Sequence, residues 1–300
     1  MKHLNLGASI YVPATRSDMI HVSNGEKFAC RSVIFCTEDS VNEQDLPKAL
    51  NNLQDMLNKT HKNDKLLKFI RVRNEKVLKQ VLEMQDIDKI DGFVLPKITK
   101  ESFNLYMAEL NKVKNNFYLM PTLETKDVFE TVKMQELCNM FLEEKIKDRI
   151  LSLRIGGNDL LNLLGIRRSR YRTIYESPLG ATISNLVTIF KPNGFNLTAP
   201  VCESIQDNEL LGKEIPQDLE YGLFGKTAIH PDQIKFIELF YTVNEQDLEM
   251  AQAILHKDAP AVFGMHGTMC EKATHSNWAK ETIERAKIYG VYGILNNIAK

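Results

Sequence analysis

Short apolar runs recur along the chain, and most are followed by a stretch with helical spacing. The runs are SIYV at 9–12, SVIF at 32–35, KFIRV at 68–72 and GFVL at 92–95. They continue with FYLM at 117–120, RILSLRI at 149–155, NLTAPV at 196–201 and GLFGKTAI at 222–229. Runs of this length, bounded by turn residues, read as strands buried on both faces. Between them, Phe103, Tyr106, Met107, Leu110 and Val113 fall at helical spacing, as do Val77, Leu78, Val81 and Leu82. Val128, Phe129 and Val132 make a further stripe after the run at 117–120. Such stripes place one apolar face of each helix against a core.

Eight strands alternating with helices in about 240 residues point to an α/β protein, a (β/α)8 TIM barrel, with a doubly wound open sheet as the competitor. After Tyr241 the pattern turns helical, over NEQDLEMAQAIL at 244–255 and again from Asn277 to about Asn297. The Gly- and Thr-containing segment between these two patterns reads as a loop. The organisation is then a barrel domain over 1–242 and a C-terminal helical extension over 243–300, part of the same unit.

Composition adds exclusions. The net charge of −1 offers no global field for nucleic acid, and the local run Arg167-Arg168-Ser169-Arg170 reads as a solvated loop. The cysteines at 30, 36, 138, 202 and 270 form no C-x-x-C pair, which argues against a disulfide framework or a structural zinc. No secretory leader and no apolar stretch long enough to span a bilayer is present, so the expectation is a cytoplasmic protein without a membrane partner.

In parallel α/β proteins the chemistry sits at the C-terminal ends of the strands. The residues following the apolar runs include Glu38 and Asp39, Arg71 and Arg73, Lys97, Glu124, and Gly156-Gly157-Asn158-Asp159. Two of these strand ends bear the carboxylates Glu124 and Asp159, while others bear Arg71 and Lys97. Carboxylates beside cations suit Mg²⁺ and an anionic substrate, because Mg²⁺ prefers hard oxygen ligands and needs only one or two from protein. Arg71 would grip a substrate carboxylate in two-pronged fashion. Taken singly, each has a plainer reading: Asp159 as a helix cap, Glu124 as first-turn decoration, Arg71 as a structural ion-pair partner. Capping also stays open for Asn158, and Arg167-Arg168 has no assigned role. GKT at 225–227 lacks the first glycine of a P-loop, whose place is taken by Glu220, and GGND lacks dinucleotide-fold spacing. No G-x-S-x-G elbow appears, and no spaced partners support metal binding by His266 or His275.

The ordered set SIYVPA, TEDSV, IRVR, VLPK, MPTLET, IGGNDLLNLLG and GKTAIHPDQI resembles the citrate lyase β-subunit and HpcH/HpaI aldolase superfamily. GNDLLNLLGIRR, TIYESPLG, LTAPV, TAIHPDQI and the THSNWA segment narrow the likeness to citrate-lyase-like C–C bond lyases of bacterial tellurium-resistance gene clusters. The resemblance runs from about residue 9 to about 290. It implies a TIM barrel with C-terminal helices, trimeric or hexameric assembly, and Mg²⁺ held by Glu124 and Asp159. It also implies that Arg71 binds substrate carboxylate, although Arg73 stands where the family has Asn.

Other departures are Gly7 and Ala14 in the opening motif, Cys36 for a first Asp, and Glu271 where the family ends G-x-M-I-D on Asp. In some relatives that acid reaches the neighbouring subunit's site. The expected activity is a Mg²⁺-dependent C–C lyase or the reverse condensation. The substrate would be a small 2-oxo or 2-hydroxy carboxylate, or its CoA or acyl-carrier thioester. Glu38, Asp39, Lys97 and Glu271 are candidates for proton transfer or support, and Gly156, Gly157, Asn158 and Pro200 for substrate contact. The competing expectation is a non-catalytic metabolite-binding or scaffold protein that keeps the barrel.

Overall fold

The computed structural model describes residues 1–293 apart from 62, 64 and 206. Eight parallel strands form one sheet: β1 (Ala8–Pro13), β2 (Ser32–Cys36), β3 (Leu67–Arg71), β4 (Gly92–Leu95), β5 (Tyr118–Leu123), β6 (Leu153–Ile155), β7 (Leu197–Thr198) and β8 (Lys226–Ala228). Their order is β7-β6-β5-β4-β3-β2-β1-β8. The two ends meet at a parallel bridge between Ala199 and Lys226, with Ala199 N–H donating to the Gly225 carbonyl at 2.9 Å. The sheet is therefore a closed (β/α)8 barrel, and the open-sheet alternative falls.

The helices that follow the strands are α1 (Met19–Ser23), α2 (Leu46–Lys59), α3 (Glu75–Leu82), α4 (Lys100–Leu110), α5 (Thr131–Phe141), α6 (Glu144–Lys147), α7 (Gly157–Leu163), α8 (Leu179–Phe190), α9 (Asn208–Glu220) and α10 (Pro231–Leu239). Local chemistry sets several starts. Asn74 caps α3 by accepting from Val77 N–H, and Thr99 and Ser102 form a reciprocal capping box on α4. The stripes at 77–81 and 103–110 are buried, as their spacing demands.

Val128, Phe129 and Val132 do not form one face. A 3₁₀ turn (Lys126–Phe129) precedes α5, so the period breaks there, leaving Phe129 and Val132 exposed. The buried face of α5 is instead Met134, Leu137, Cys138 and Phe141. The last three strands are also shorter than their apolar runs. In GLFGKTAI, for example, Gly222 and Gly225 take positive φ, and only Lys226–Ala228 pairs as strand.

Inside the barrel, Ile34, Phe69, Val94, Met120, Leu6 and Leu151 form an apolar cluster separate from the larger core between strands and helices. Side chains alternate along a strand, so positions two residues further on face the same interior. On β3 and β5 those positions are polar: Arg71 follows Phe69, and Thr122 then Glu124 follow Met120. The barrel has an apolar floor and a charged mouth at the C-terminal ends of its strands.

Beyond α10 lie a short strand β9 (Val243–Asn244), α11 (Glu245–Leu255), a hairpin of β10 (Val262–Met265) and β11 (Thr268–Glu271), α12 (Lys272–Tyr289), and β12 (Val291–Tyr292), which pairs with β9. The segment read as a loop is thus partly a hairpin. The second helical pattern starts earlier than expected and stops at Gly290, whose φ is 86°. Its expected end near Asn297 lies outside the described residues. Ala251, Ile254, Cys270 and Ala279 give this extension a small core of its own. Its far end is fastened to the barrel, where the Tyr289 hydroxyl donates to the Leu4 carbonyl at 2.5 Å. No described helix is long and apolar enough to cross a membrane.

Candidate active site

The strand-end residues converge on one cavity of about 230 Å³ at the barrel mouth. Asp39, Arg71, Glu124, Gly156, Gly157, Asn158 and Asp159 all line it. Arg71, at the end of β3, is the hub. Its Nη2 lies 2.7 Å from Glu38 Oε2, 3.0 Å from Asp39 Oδ2 and 3.2 Å from Glu124 Oε1. Burial opposes its charge, but Tyr11, Glu124 and Glu38 outweigh that and hold the guanidinium protonated. Its Nε has no partner among the described residues and is left for an incoming acceptor. Arg73 clamps the turn that carries Glu38 and Asp39 by donating to the carbonyls of Thr37, Glu38 and Val41. The Asn-to-Arg departure thereby gains a structural role.

Lys97 bridges the two sides of the mouth. Its ammonium pairs with Glu38, sits 3.2 Å from Asp39 Oδ1, and lies 3.9 Å from Asp159 Oδ1. Burial opposes the charge, yet Glu38 and Asp39 raise the Lys97 pKa, so the amine is an ammonium and not the neutral nucleophile a Schiff base needs. The Lys97 backbone takes φ of 50°, an unusual value for a side chain of this size. Its N–H donates to Glu124 Oε1 at 2.9 Å. Within the acidic pair, burial lifts Glu38 above its ordinary range, and Asp39, despite its own partial burial, is held below it by Glu38, Arg71 and Lys97.

Glu124 is 3% exposed, which disposes of the helix-decoration reading. Burial, partly opposed by Arg71 and reinforced by Asp159, raises its pKa to about 7. Among the described residues, both hydrogen bonds to its carboxylate, from Arg71 and Lys97, go to Oε1. Oε2 faces Gly156, where an added Cβ would stand 2.2 Å away. Glycine at 156 keeps the space beside this oxygen open.

Asp159 sits in the first turn of α7 and does not cap it; Gly156 holds the cap position, and no side chain, that of Asn158 included, makes a capping bond. The Asp159 carboxylate is one-third exposed and points its charge to the cavity that Glu124 also lines. Two hard carboxylates, one with an oxygen unused by protein donors, fit a Mg²⁺ that completes its shell with water and substrate oxygens. Among the described residues no cluster of three or more His, Cys, Asp or Glu offers a rival metal cage.

Some expected contacts fall elsewhere. Pro200 does not line the cavity. Its ring supports Gly157, 3.0 Å from where a Cβ would project, and its carbonyl accepts from Lys226 at 2.9 Å. Glu271 lies at the start of α12, beside His275 and Thr274, and does not reach the cavity of its own chain. Behind the site only Leu160 and Leu161 are buried; Leu163 and Leu164 are exposed, because a seven-residue helix presents just one face inward. Arg168 is not solvated. It is buried, donates to the Val201 carbonyl at 2.8 Å and pairs with Glu214, whereas Arg167 is exposed.

Tyr11, Thr122, Arg154 and Thr227 also line the cavity, beyond the residues the strand ends lead one to expect. Arg154 carried a readable signal, being a charge inside an otherwise apolar strand, two residues before Gly156.

The curated protein (3S)-malyl-CoA thioesterase of Cereibacter sphaeroides is 24% identical to this chain, over 94% of it and 95% of the relative. The structure of CitE from Mycobacterium tuberculosis in complex with magnesium, acetoacetate and coenzyme A superposes with a TM-score of 0.68 at 20% identity, covering 94% of this chain and 98% of the other. The M. tuberculosis citrate lyase β subunit complexed with oxaloacetate and magnesium gives 0.58 at 20% identity, covering 79% and 97%. Residues 1–291, from the first strand through the helical extension, match the profile described as C–C bond lyase of the TIM-barrel fold, and the chain belongs to that family.

Proposed function

We propose that this protein is a Mg²⁺-dependent lyase that breaks, or in reverse forms, a C–C bond in a small 2-oxo or 2-hydroxy carboxylate. The observation that carries the reading is the Glu124–Gly156–Asp159 arrangement. One buried carboxylate keeps Oε2 clear of protein donors, a glycine leaves room beside it, and a second carboxylate lines the same cavity. Magnesium in the solved structures of relatives supports the same choice of ion. Held by Glu124 and Asp159, Mg²⁺ would supply a Lewis acid for the oxygen that gains charge as the bond breaks.

The chain's own groups do the rest. Arg71 orients a substrate carboxylate with the donors its three acidic partners leave free. Those partners hold the guanidinium in place, which is the positioning that makes a bound acid reactive. Glu38 holds a proton more tightly than Asp39 beside it, so it is the member of the pair suited to exchange a proton with the reacting carbon or oxygen. Lys97 neutralises that pair and turns its N–H onto Glu124.

A cavity of about 230 Å³ is small for a ligand site and takes a short acid; the bulk of a CoA or acyl carrier would lie outside it. We propose further, from the narrower motifs, a kinship with the lyases of tellurium-resistance clusters, and from the wider resemblance and the composition a cytoplasmic homotrimer or homohexamer.

Metabolite capture on the purified protein with Mg²⁺, followed by mass spectrometry, identifies the acid. On that acid, Glu124→Gln and Asp159→Asn should each lower turnover by roughly 100-fold or more. Turnover retained in both variants contradicts the metal assignment. Capture without any turnover in the wild type favours the non-catalytic alternative.

A further inference from the structure

Two guanidiniums flank the ring of Tyr11 inside the barrel mouth. Arg71 lies 5.9 Å from the ring centroid and Arg154 lies 5.5 Å away. Their surroundings differ. Arg71 is neutralised by three carboxylates. Arg154 is 4% exposed and, among the described residues, forms no ion pair with any carboxylate. Its Nη2 donates to the Thr227 hydroxyl at 2.6 Å, and its Nη1 is buried with no partner.

The strand register explains what surrounds it. Arg154 pairs across the sheet with Thr122 on one side and Thr198 on the other. The hydroxyls of both threonines are also buried and have no partner among the described residues. One guanidinium and two threonine hydroxyls therefore share a layer of the barrel, immediately below the Glu124 and Gly156 layer and above the apolar floor. A buried cation without a counter-charge is costly, and orphaned donors beside it add to that cost. A ligand that brings a negative charge and acceptor oxygens to this layer removes both.

We infer that Arg154, with Thr122 beside it in the cavity wall, forms a second anion subsite that reads a far carboxylate of the substrate. The inference rests on the function proposed above. The near carboxylate and its 2-oxygen face Glu124, Asp159 and Arg71 at the mouth, and the far carboxylate points down to Arg154. The preferred acids are short dicarboxylates, because a four- to six-carbon chain fills a cavity of this size, and a monocarboxylate would leave Arg154 unpaired under a bound ligand.

Racemic malate and racemic 2-hydroxybutanoate test this, since they differ only by a carboxylate or a methyl at the far carbon. With Mg²⁺ present, calorimetry on the wild type should show malate binding on the order of ten- to a hundred-fold tighter. Arg154→Gln should bring the two affinities close together, and Arg154→Lys should restore part of the preference. Equal affinity for the two acids in the wild type, with Mg²⁺ still bound, overturns the subsite alone. So does a preference that survives in a folded Arg154→Gln. Failure of the wild type to bind Mg²⁺ or either acid overturns the metal-site reading and the subsite with it. The wild-type comparison stands even if a variant does not fold.

Discussion

A methyl group added at Gly156 would fall 2.2 Å from Glu124 Oε2 and 2.4 Å from its Cβ. The φ of −84° at this residue suits alanine, so the collision and not the backbone decides the outcome. Gly156→Ala should push the Glu124 carboxylate aside and weaken Mg²⁺ binding by about ten-fold or more while the barrel stays folded, as read by calorimetry and circular dichroism. Unchanged affinity would place the metal elsewhere. His3 tests a different residue-scale effect. It is buried, and burial, helped by Lys191 and the N-terminus, lowers its pKa from 6.5 to about 4. The folded protein keeps this imidazole neutral where the unfolded chain takes a proton. Stability is therefore undiminished by His3 above pH 6.5 and falls as the pH drops toward 4, by a contribution on the order of 3 kcal/mol. Denaturant unfolding across pH 4–7 should show a shallower decline in His3→Gln than in the wild type.

The buried Lys226 joins elements. Its ammonium sits 2.8 Å from Glu214 Oε1 and 2.8 Å from Asp218 Oδ2, both on α9, and also binds the Pro200 carbonyl. Glu214 extends the network to Arg168 and to the Ile174 N–H, so β8, α9 and the loop after α7 are fastened at one point. Lys226→Met leaves two buried acids with less compensation and should destabilise the protein by about 3–5 kcal/mol. A denaturation midpoint unmoved by this change would refute that role.

GKTAIHPDQI is legible in these terms. Lys226 faces outward to α9, Thr227 inward to Arg154, and His230 caps α10 with Pro231 in its first turn. Elements with an unbroken period were readable from the chain, as at 103–110 and 32–35. The stripe at 128–132 misled because a 3₁₀ turn shifts the phase between its members. The charged mouth was readable because strand ends can be located from apolar runs alone. The layer of Arg154, Thr122 and Thr198 was not, since it depends on register between strands whose paired residues lie far apart in the chain, which no local pattern encodes.

At the scale of the whole molecule, the barrel gathers its chemistry at one end and fastens its helical extension near the other. Glu271 cannot act in its own chain's cavity as the fold stands, so a catalytic use of this acid requires a second copy. If the proposed assembly is correct, light scattering should give three or six copies of the 34.3 kDa chain, and a monomer at working concentration would remove Glu271 from the mechanism. In the proposed function, Glu124 and Asp159 hold Mg²⁺ for an acid bound beside it. Titration of Mg²⁺ into the purified protein, with and without oxaloacetate, tests it most directly. Mg²⁺ should bind, oxaloacetate should tighten that binding, and Glu124→Gln should abolish it. A folded wild-type protein that takes up no Mg²⁺ in either condition would contradict it.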